Sequence, residues 1–286
     1  MRWRQGRRSS NIEDRRGQSG PGGLGSLVAL APLLLRSKTA WVALALLLLF
    51  YFFADNQQFL GGQAGSDGAG TANAEVVEFI AVILADTEDT WDKLFQTADA
   101  RYVRPKLVLY DDIIRSACGT NSSAVGPFYC PADGKVYLDL DFLGELRKLG
   151  APGDFAFAYV IAHEVGHHVQ NLIGTSRKVQ EARAQVDRAT ANRLSVMLEL
   201  QADCFAGIWA FYAHRDRRML EPGDLEEGLA AAAAVGDDMV QGRAGREVSP
   251  DAFTHGSAGQ RMHWFKRGFT TGDVARCNTF AELAGQ

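Results

Sequence analysis

The chain has 286 residues, of which 47% are hydrophobic and 22% are charged, and its formal net charge is −4. This composition is typical of a globular protein with a sizeable buried core, and it excludes a chain too polar to bury one. The charge is uneven, because residues 1–38 carry eight Arg or Lys and two acidic residues, which leaves −10 on the rest. A basic segment can indicate nucleic-acid binding, but no aromatic interleaving or binding motif accompanies it, and we expect no nucleic-acid partner.

An uncharged apolar stretch, residues 39–54, follows the basic segment. Its sixteen residues would span about 24 Å as a helix, slightly less than usual for a membrane, and neighbours up to residue 60 can extend it. Because the run has no polar face, it predicts a transmembrane helix over residues 39–60 rather than a core helix. A cleaved signal peptide is the alternative, with residues 62–64 as the cleavage pattern, but the aromatic residues that close the run favour an uncleaved anchor.

The arginine-rich start predicts the orientation of this anchor, because positive charge stays on the cytoplasmic side of a membrane-spanning helix. We therefore expect a basic cytoplasmic tail over residues 1–38 and a single-pass anchor over residues 39–60. A flexible glycine-rich linker is expected over residues 61–72. One folded domain is expected over residues 73–286, on the extracytoplasmic side.

Hydrophobic spacing predicts a mainly helical α+β domain with a small sheet. Helices are predicted for residues 74–84, 177–212 and 224–241, and strands for residues 106–110 and 135–140.

All four cysteines follow the apolar stretch, and an even number on the extracytoplasmic side is consistent with two disulfides. Three connectivities are possible. Cys118–Cys130 is the simplest first pair, because the loop between these residues contains glycine and proline, and Cys204 and Cys277 are then paired by elimination. Alternatively, Cys204 is a buried free thiol, since it lies on an apolar predicted helix.

His163-Glu164-Val165-Gly166-His167 lies in an apolar predicted helix. Two histidines four residues apart share one helix face, about 6 Å apart at Cβ, and can both reach a zinc ion at about 2.0–2.1 Å. The glutamate after the first histidine lies beside the metal, where it can take a proton from bound water. The bare pattern also occurs by chance. A zinc site at these residues therefore has to be supported by a third protein ligand elsewhere in the sequence.

The segment LELQADCFAG supplies that ligand. Glu199 completes a His2Glu site, and Asp203, four residues later on the same face, can orient a ligand histidine through its ring N–H. We therefore predict one zinc ion per chain, held by His163, His167 and Glu199. Cys204 is not expected to bind zinc, because it points about 100° away from Asp203.

The motifs HEVGHHVQ, ELQADCFAG, GPFYCPAD, VGDD and THGSAGQR, in this order, resemble the bacterial "putative neutral zinc metallopeptidase" family. The resemblance covers nearly the whole chain, including the opening MRWRQGRRSSNIEDRRG. More distantly, HExxH, then ExxAD, then a His with an Arg six residues later is similar to the CAAX prenyl protease class of gluzincins. The resemblance implies a zincin-like zinc peptidase fold with His163, His167 and Glu199 as ligands and Glu164 as general base. The expected substrate is a peptide or protein, whose identity the resemblance does not give, and the sequence does not identify any protein partner.

The loop before Arg261 contains a further catalytic candidate. Negative charge develops on the carbonyl oxygen when water attacks a peptide, and a second donor near the metal lowers that barrier. His255, in a glycine-containing loop, is predicted to be this donor, and Arg261 is predicted to hold a carboxylate such as that of Asp203. The similarity to the CAAX prenyl protease pattern points the same way. The alternatives are a surface histidine and an arginine that only caps a helix.

These features together predict a membrane-anchored zinc endopeptidase of the bacterial inner (cytoplasmic) membrane. By analogy with zincins, residues 136–140 are a candidate edge strand for pairing with an extended substrate, and an ordinary sheet strand is the alternative. The alternative function is a membrane-tethered binding or scaffold protein with a zinc-stabilised fold and no turnover. Glu164 argues against it, because a purely structural zinc does not need that residue.

Overall fold

The computed structural model describes residues 1–17, 66–123 and 126–282. The transmembrane helix predicted over residues 39–60 lies outside this part. Within the described part, one helix, Arg188–Arg215, is long and apolar enough to cross a membrane, but 67% of its most apolar window is buried inside the protein. That burial is the property of a core helix in a folded domain.

The described residues confirm the α+β prediction, with most of the structure helical, a small four-stranded sheet and a separate two-stranded sheet. The strands are β1 Ile12–Asp14, β2 Lys106–Tyr110, β3 Ile113–Ser116, β4 Gly119–Ser122, β5 Phe128–Cys130 and β6 Lys135–Asp139. The α-helices are α1 Ser66–Thr97, α2 Phe142–Lys148, α3 Asp154–Leu172, α4 Thr175–Arg183, α5 Arg188–Arg215, α6 Asp224–Ala234, α7 Asp237–Arg243 and α8 Ala258–Thr271. Short 3-10 helices follow at Pro250–Ala252, Val274–Cys277 and Thr279–Glu282.

The main sheet has the strand order β1-β2-β6-β5. Strands β1, β2 and β6 are parallel, and β5 runs antiparallel to β6. Because β6 is bonded on both sides, it has no free edge, and the expectation that residues 136–140 form the substrate-pairing edge is wrong. The edge strand on this side of the sheet is β5. Strands β3 and β4 form a separate antiparallel pair between β2 and β5 in the chain.

Residues 1–16 are part of the folded domain and do not form a separate tail. Strand β1 pairs in parallel with β2. Trp3 is buried in edge-to-face contact with Phe79 of α1. Arg7 donates to the buried carboxylate of Glu88 at 2.7 Å. Part of the positive charge that suggested a basic tail is therefore neutralised inside the domain, which a count of charges does not reveal.

This arrangement corrects the prediction that residues 1–16 belong to a separate tail. The prediction placed the N-terminal segment and the folded domain on opposite sides of one membrane crossing. Residues 1–16 and 77–286 form one compact unit, separate from residues 17–76. The N-terminal residues therefore belong to the same folded unit as the rest of the domain. In addition, α1 begins at Ser66, inside the segment predicted to be a flexible linker.

All four cysteines are paired, as two disulfides. Cys118 and Cys130, with Cα atoms 5.8 Å apart, join the β3–β4 pair to edge strand β5. Cys204 and Cys277, with Cα atoms 5.6 Å apart, join α5 to the C-terminal 3-10 helices. The pairing is the one suggested by elimination, and Cys204 is not a free thiol.

Candidate metal centre

Helix α3 carries both histidines of the HExxH motif on one face, with their ring centroids 4.7 Å apart. Glycine allows α5 to approach that helix closely, because a Cβ on Gly166 would lie 3.0 Å from the carbonyl oxygen of Ala202. Gly268 of α8 similarly lies against the carbonyl group of Cys204. Three helices therefore meet with almost no side chain between them, which brings their polar residues to one place.

The three predicted ligands converge at this contact. His163 Nε2 lies 3.2 Å from Glu199 Oε2, and His167 Nε2 lies 3.4 Å from Glu199 Oε1. One ligand atom from each residue lies within 4.8 Å of the other two. Donors at about 2.0–2.1 Å from a tetrahedral zinc ion are about 3.4 Å apart, so this donor set fits zinc.

The charges at the site favour a metal cation. Burial alone would raise the pKa of the Glu199 carboxyl, but the neighbouring histidines hold that pKa well below its usual value. Glu199 is therefore an anion. Burial alone would lower the pKa of His163, but the Asp203 carboxylate, together with Glu199, raises it to about 9 in the metal-free protein. A metal ion that binds here displaces that proton, as metals do at histidine sites.

Asp203 and Arg261 form a buried network behind His163. Asp203 Oδ1 lies 2.8 Å from His163 Nδ1, which leaves Nε2 facing Glu199. Arg261 donates to Asp203 through Nε and Nη2, each at 2.9 Å. The hydroxyl of Tyr159 also donates to Asp203. Arg261 does not cap α8, because Ser257 does so.

Gln170 was missed by the sequence interpretation. Its Oε1 lies 2.9 Å from His167 Nδ1. Gln170 is therefore the hydrogen-bond partner of His167, just as Asp203 is the partner of His163. The signal was present in HEVGHHVQ, because a residue three positions after His167 is its neighbour on the helix surface.

His255 lines the same cleft as His163 and Glu164. Its side chain is 53% exposed, and its Nδ1 lies 3.3 Å from Asp237 Oδ1. Asp237 Oδ2 also accepts from the main-chain N–H of His255 at 2.6 Å. This contact with Asp237 raises the pKa of His255. Asp237, which belongs to the VGDD motif, was missed, because nothing in the sequence indicates which loop its carboxylate binds.

The cleft has a volume of about 580 Å³ and runs along edge strand β5. Tyr129 of β5 is fastened to α3, because its hydroxyl lies 3.1 Å from His168 Nδ1 and accepts from Asn171 Nδ2 at 3.0 Å. His168 is buried, and its Nε2 lies 2.6 Å from the carbonyl oxygen of Val103. The edge strand therefore keeps a defined position beside the metal ligands.

An open cleft beside a largely buried set of two histidines and a glutamate, with a further glutamate in its lining, is typical of zinc metallopeptidases. The chain belongs to the family described as "putative neutral zinc metallopeptidase", whose profile matches residues 1–280. That match includes the N-terminal segment that folds with the domain.

Relatives of this chain are found in several bacteria. It is 47% identical over 289 residues to "Uncharacterized protein YpfJ" of Escherichia coli K12, and the match covers 99% of both chains. It is 42% identical over 219 residues to "Uncharacterized protein Rv2575" of Mycobacterium tuberculosis H37Rv, over 73% of each chain. A third relative, "Uncharacterized protein Mb2605" of Mycobacterium bovis, has the same identity and coverage. No solved structure matches the chain.

Proposed function

We propose that this protein is a zinc-dependent endopeptidase that hydrolyses peptide bonds in a peptide or protein substrate, with one zinc ion per chain. The observation that carries the proposal is the convergence of His163, His167 and Glu199 on a cleft that Glu164 also lines. Structural zinc sites are closed by four protein ligands, whereas catalytic sites have three and keep a position open. The donor set and the open cleft support the catalytic kind.

Glu164, His255 and Asp203 have different roles in the proposed reaction. A bound zinc ion supplies Lewis acidity to the substrate carbonyl and lowers the pKa of water. Glu164 accepts the proton of the attacking water and returns it to the leaving amine nitrogen. His255, with Nδ1 turned to Asp237, offers Nε2 to the carbonyl oxygen as negative charge develops there. Asp203 keeps His163 oriented throughout.

We place the substrate main chain along β5. Among the strands that the structure describes, β5 is bonded only to β6, and Phe128 and Tyr129 line the cleft. An extended peptide can add to a free strand edge through main-chain hydrogen bonds, while neighbouring pockets receive its side chains. Phe128, Phe142 and Val160 form an apolar part of the lining, which suits an apolar substrate side chain.

We also propose that the protein is attached to the bacterial inner membrane through residues 39–60 without a net crossing, so that both residues 1–16 and the folded domain lie outside the cytoplasm. The two disulfides support this compartment, because disulfides persist in oxidising environments. The joint folding of the two parts replaces the cytoplasmic N-terminus of the single-pass prediction.

Zinc analysis of the purified full chain, combined with a protease assay on an unfolded protein, tests this function. We expect about one zinc per chain, lost in His163→Ala, His167→Ala and Glu199→Ala. Glu164→Gln should keep the zinc and lose turnover, because it removes the base and leaves the ligands. His263→Ala is the matched control, since His263 is an exposed histidine on α8.

Two results would contradict the proposal. A wild-type protein without zinc would remove the metal centre, and Glu164→Gln with wild-type turnover would remove the assigned mechanism. Zinc binding without turnover on any substrate would instead support the membrane-tethered binding or scaffold protein.

A further inference from the structure

Two buried glutamines connect His167 to the C-terminal part of the domain. Gln170 Oε1 lies 2.9 Å from His167 Nδ1. Gln170 Nε2 donates to Gln201 Oε1 at 3.2 Å. Gln201 Nε2 in turn donates to the main-chain carbonyl oxygen of Cys277 at 3.0 Å. Gln170 is 0% exposed and Gln201 is 7% exposed, so water does not compete strongly for these bonds.

Main-chain carbonyl groups determine the direction of both amides, because a carbonyl oxygen can only accept. Gln170 Nε2 also donates to the carbonyl oxygen of Leu198 at 2.6 Å, so its amide oxygen must face His167. The carbonyl group of Cys277 orients Gln201 in the same way, and Gln201 Oε1 is left to accept from Gln170. The order of donors and acceptors therefore follows from the backbone of α5 and of the C-terminal segment.

The tautomer of His167 follows from this order. An amide oxygen at 2.9 Å from Nδ1 requires a proton on Nδ1, and the neutral imidazole then has an unprotonated Nε2. Nε2 is the atom that lies 3.4 Å from Glu199 Oε1. A metal binds histidine through the nitrogen that carries no proton, and the partner of the other nitrogen sets which one that is.

We propose that Gln170 and Gln201 are positioning residues for His167, and that together they hold its ring and its Nδ1–H tautomer so that Nε2 is available to zinc. The proposal rests on the proposed function in one respect, namely that His167 binds zinc. A neutral partner suits this position, because Glu164 and Glu199 already supply two negative charges to the site. At His163 the partner is a carboxylate, but Arg261 balances its charge.

We call the series of hydrogen bonds from His167 through Gln170 and Gln201 to Cys277 the relay. The Cys204–Cys277 disulfide holds the end of the relay that is farthest from His167. It fixes Cys277 to α5, and Thr279 Oγ1 donates to the carbonyl oxygen of Met197 at 2.6 Å beside it. Gln201 therefore has a rigid acceptor. The disulfide thus supports His167, the proposed zinc ligand, although the two are distant in sequence and not in contact. The support passes through the hydrogen bonds of the two glutamines.

The zinc dissociation constant of the full chain, measured by chelator competition, tests the relay. Gln170→Met should weaken zinc binding by about 10–100-fold, which is the usual loss when the partner of a ligand histidine is removed. Gln201→Met should cause a smaller loss, because Gln170 keeps its bond to Leu198. The double variant should lose no more than Gln170→Met alone, because residues acting in series are not additive. Cys204→Ala/Cys277→Ala should resemble Gln201→Met.

A second readout does not depend on activity. The Nδ1–H proton of His167 should give a slowly exchanging NMR resonance in the wild type, and Gln170→Met should lose it. Asn171→Ala is the matched control. It removes a hydrogen bond of a neighbouring side-chain amide on α3, but this bond goes to Tyr129 and not to a proposed zinc ligand. Cys118→Ala/Cys130→Ala is the control for the disulfide. Both controls should bind zinc as the wild type does.

Each outcome separates the relay from the proposed function. A wild type that binds no zinc contradicts the proposed function. A wild type that binds zinc no more tightly than Gln170→Met overturns the relay and leaves the function standing. An equal loss in Asn171→Ala overturns it as well, because the effect would then be a general loosening of α3. If Gln170→Met does not fold by circular dichroism, Gln201→Met decides, and unchanged zinc affinity there overturns the relay.

Discussion

Gly166 lies directly against Ala202, and a Cβ on Gly166 would lie 3.0 Å from the carbonyl oxygen of Ala202. Gly166 stands just before His167 on α3. Ala202 stands between Glu199 and Asp203 on α5. This backbone contact therefore determines how closely the two halves of the candidate metal site approach each other.

Replacing Gly166 by alanine should push α3 and α5 apart. We expect Gly166→Ala to lower the free energy of unfolding by about 1–3 kcal/mol, as overpacked cores do, and to weaken zinc binding. Gly144→Ala is the control, because nothing lies within 4 Å of a Cβ there, and it should gain about 0.5–1 kcal/mol as a helix-interior alanine. Urea unfolding and zinc titration measure both effects. Equal stability of Gly166→Ala and wild type would show that the helices adjust freely.

Arg261 should be required for stability as well as for orienting Asp203. Arg261 is 3% exposed and Asp203 is 0% exposed. Arg261→Met should cost about 3–5 kcal/mol, because it leaves a buried carboxylate without its partner. Arg261→Lys should lose less, since lysine keeps the charge but not the two parallel hydrogen bonds. Thermal unfolding measures the loss, and Arg267→Lys, on the same helix, is the control. A stable Arg261→Met would mean that Asp203 is protonated in the folded state.

His255 should act on turnover and not on the metal. We expect His255→Phe to retain zinc and its fold while kcat falls by about 100-fold, the size of losing one oxyanion donor. Peptide hydrolysis with zinc analysis on the same samples measures both quantities. His263→Phe provides the control. Unchanged kcat would make His255 an ordinary surface residue.

Residues 1–16 and the folded domain should react from the same side of the membrane. Ser10→Cys and Ser249→Cys place thiols at exposed positions of the two parts. A membrane-impermeant maleimide should label both in intact spheroplasts, and Leu109→Cys, at a position 0% exposed, should stay unlabelled. Labelling of only one site would contradict the joint fold. Labelling of both only after lysis would keep the joint fold and place the domain in the cytoplasm.

The sequence alone was enough to indicate the donor set. His163 and His167, like Glu199 and Asp203, are four positions apart, and helical geometry puts such pairs on one face whatever surrounds them. The apolar residues around each pair predicted buried helices, and both segments are buried helices in the structure. Local geometry and ligand chemistry carry that part of the prediction.

Strand order and the role of the N-terminal segment needed the tertiary structure. The apolar sequence of residues 135–140 is compatible with both an edge strand and a central strand. Only the pairing of β6 with both β2 and β5 shows that this strand is central. The first sixteen residues are rich in arginine, which is the composition expected of a free tail. Whether such a segment is free depends on acidic partners, such as Glu88, that are far away in the chain.

The partners of the site residues divide in the same way. Gln170 is within one helical turn of His167, so spacing could have identified it. Gln201 reaches Cys277, 76 positions away, and Asp237 binds the loop that contains His255. Hydrogen bonds of this kind depend on which surfaces the folded helices bring together, and no periodicity within the chain encodes that choice. The sequence by itself therefore determined the chemistry of the candidate metal ligands, whereas the tertiary structure decided which groups orient them.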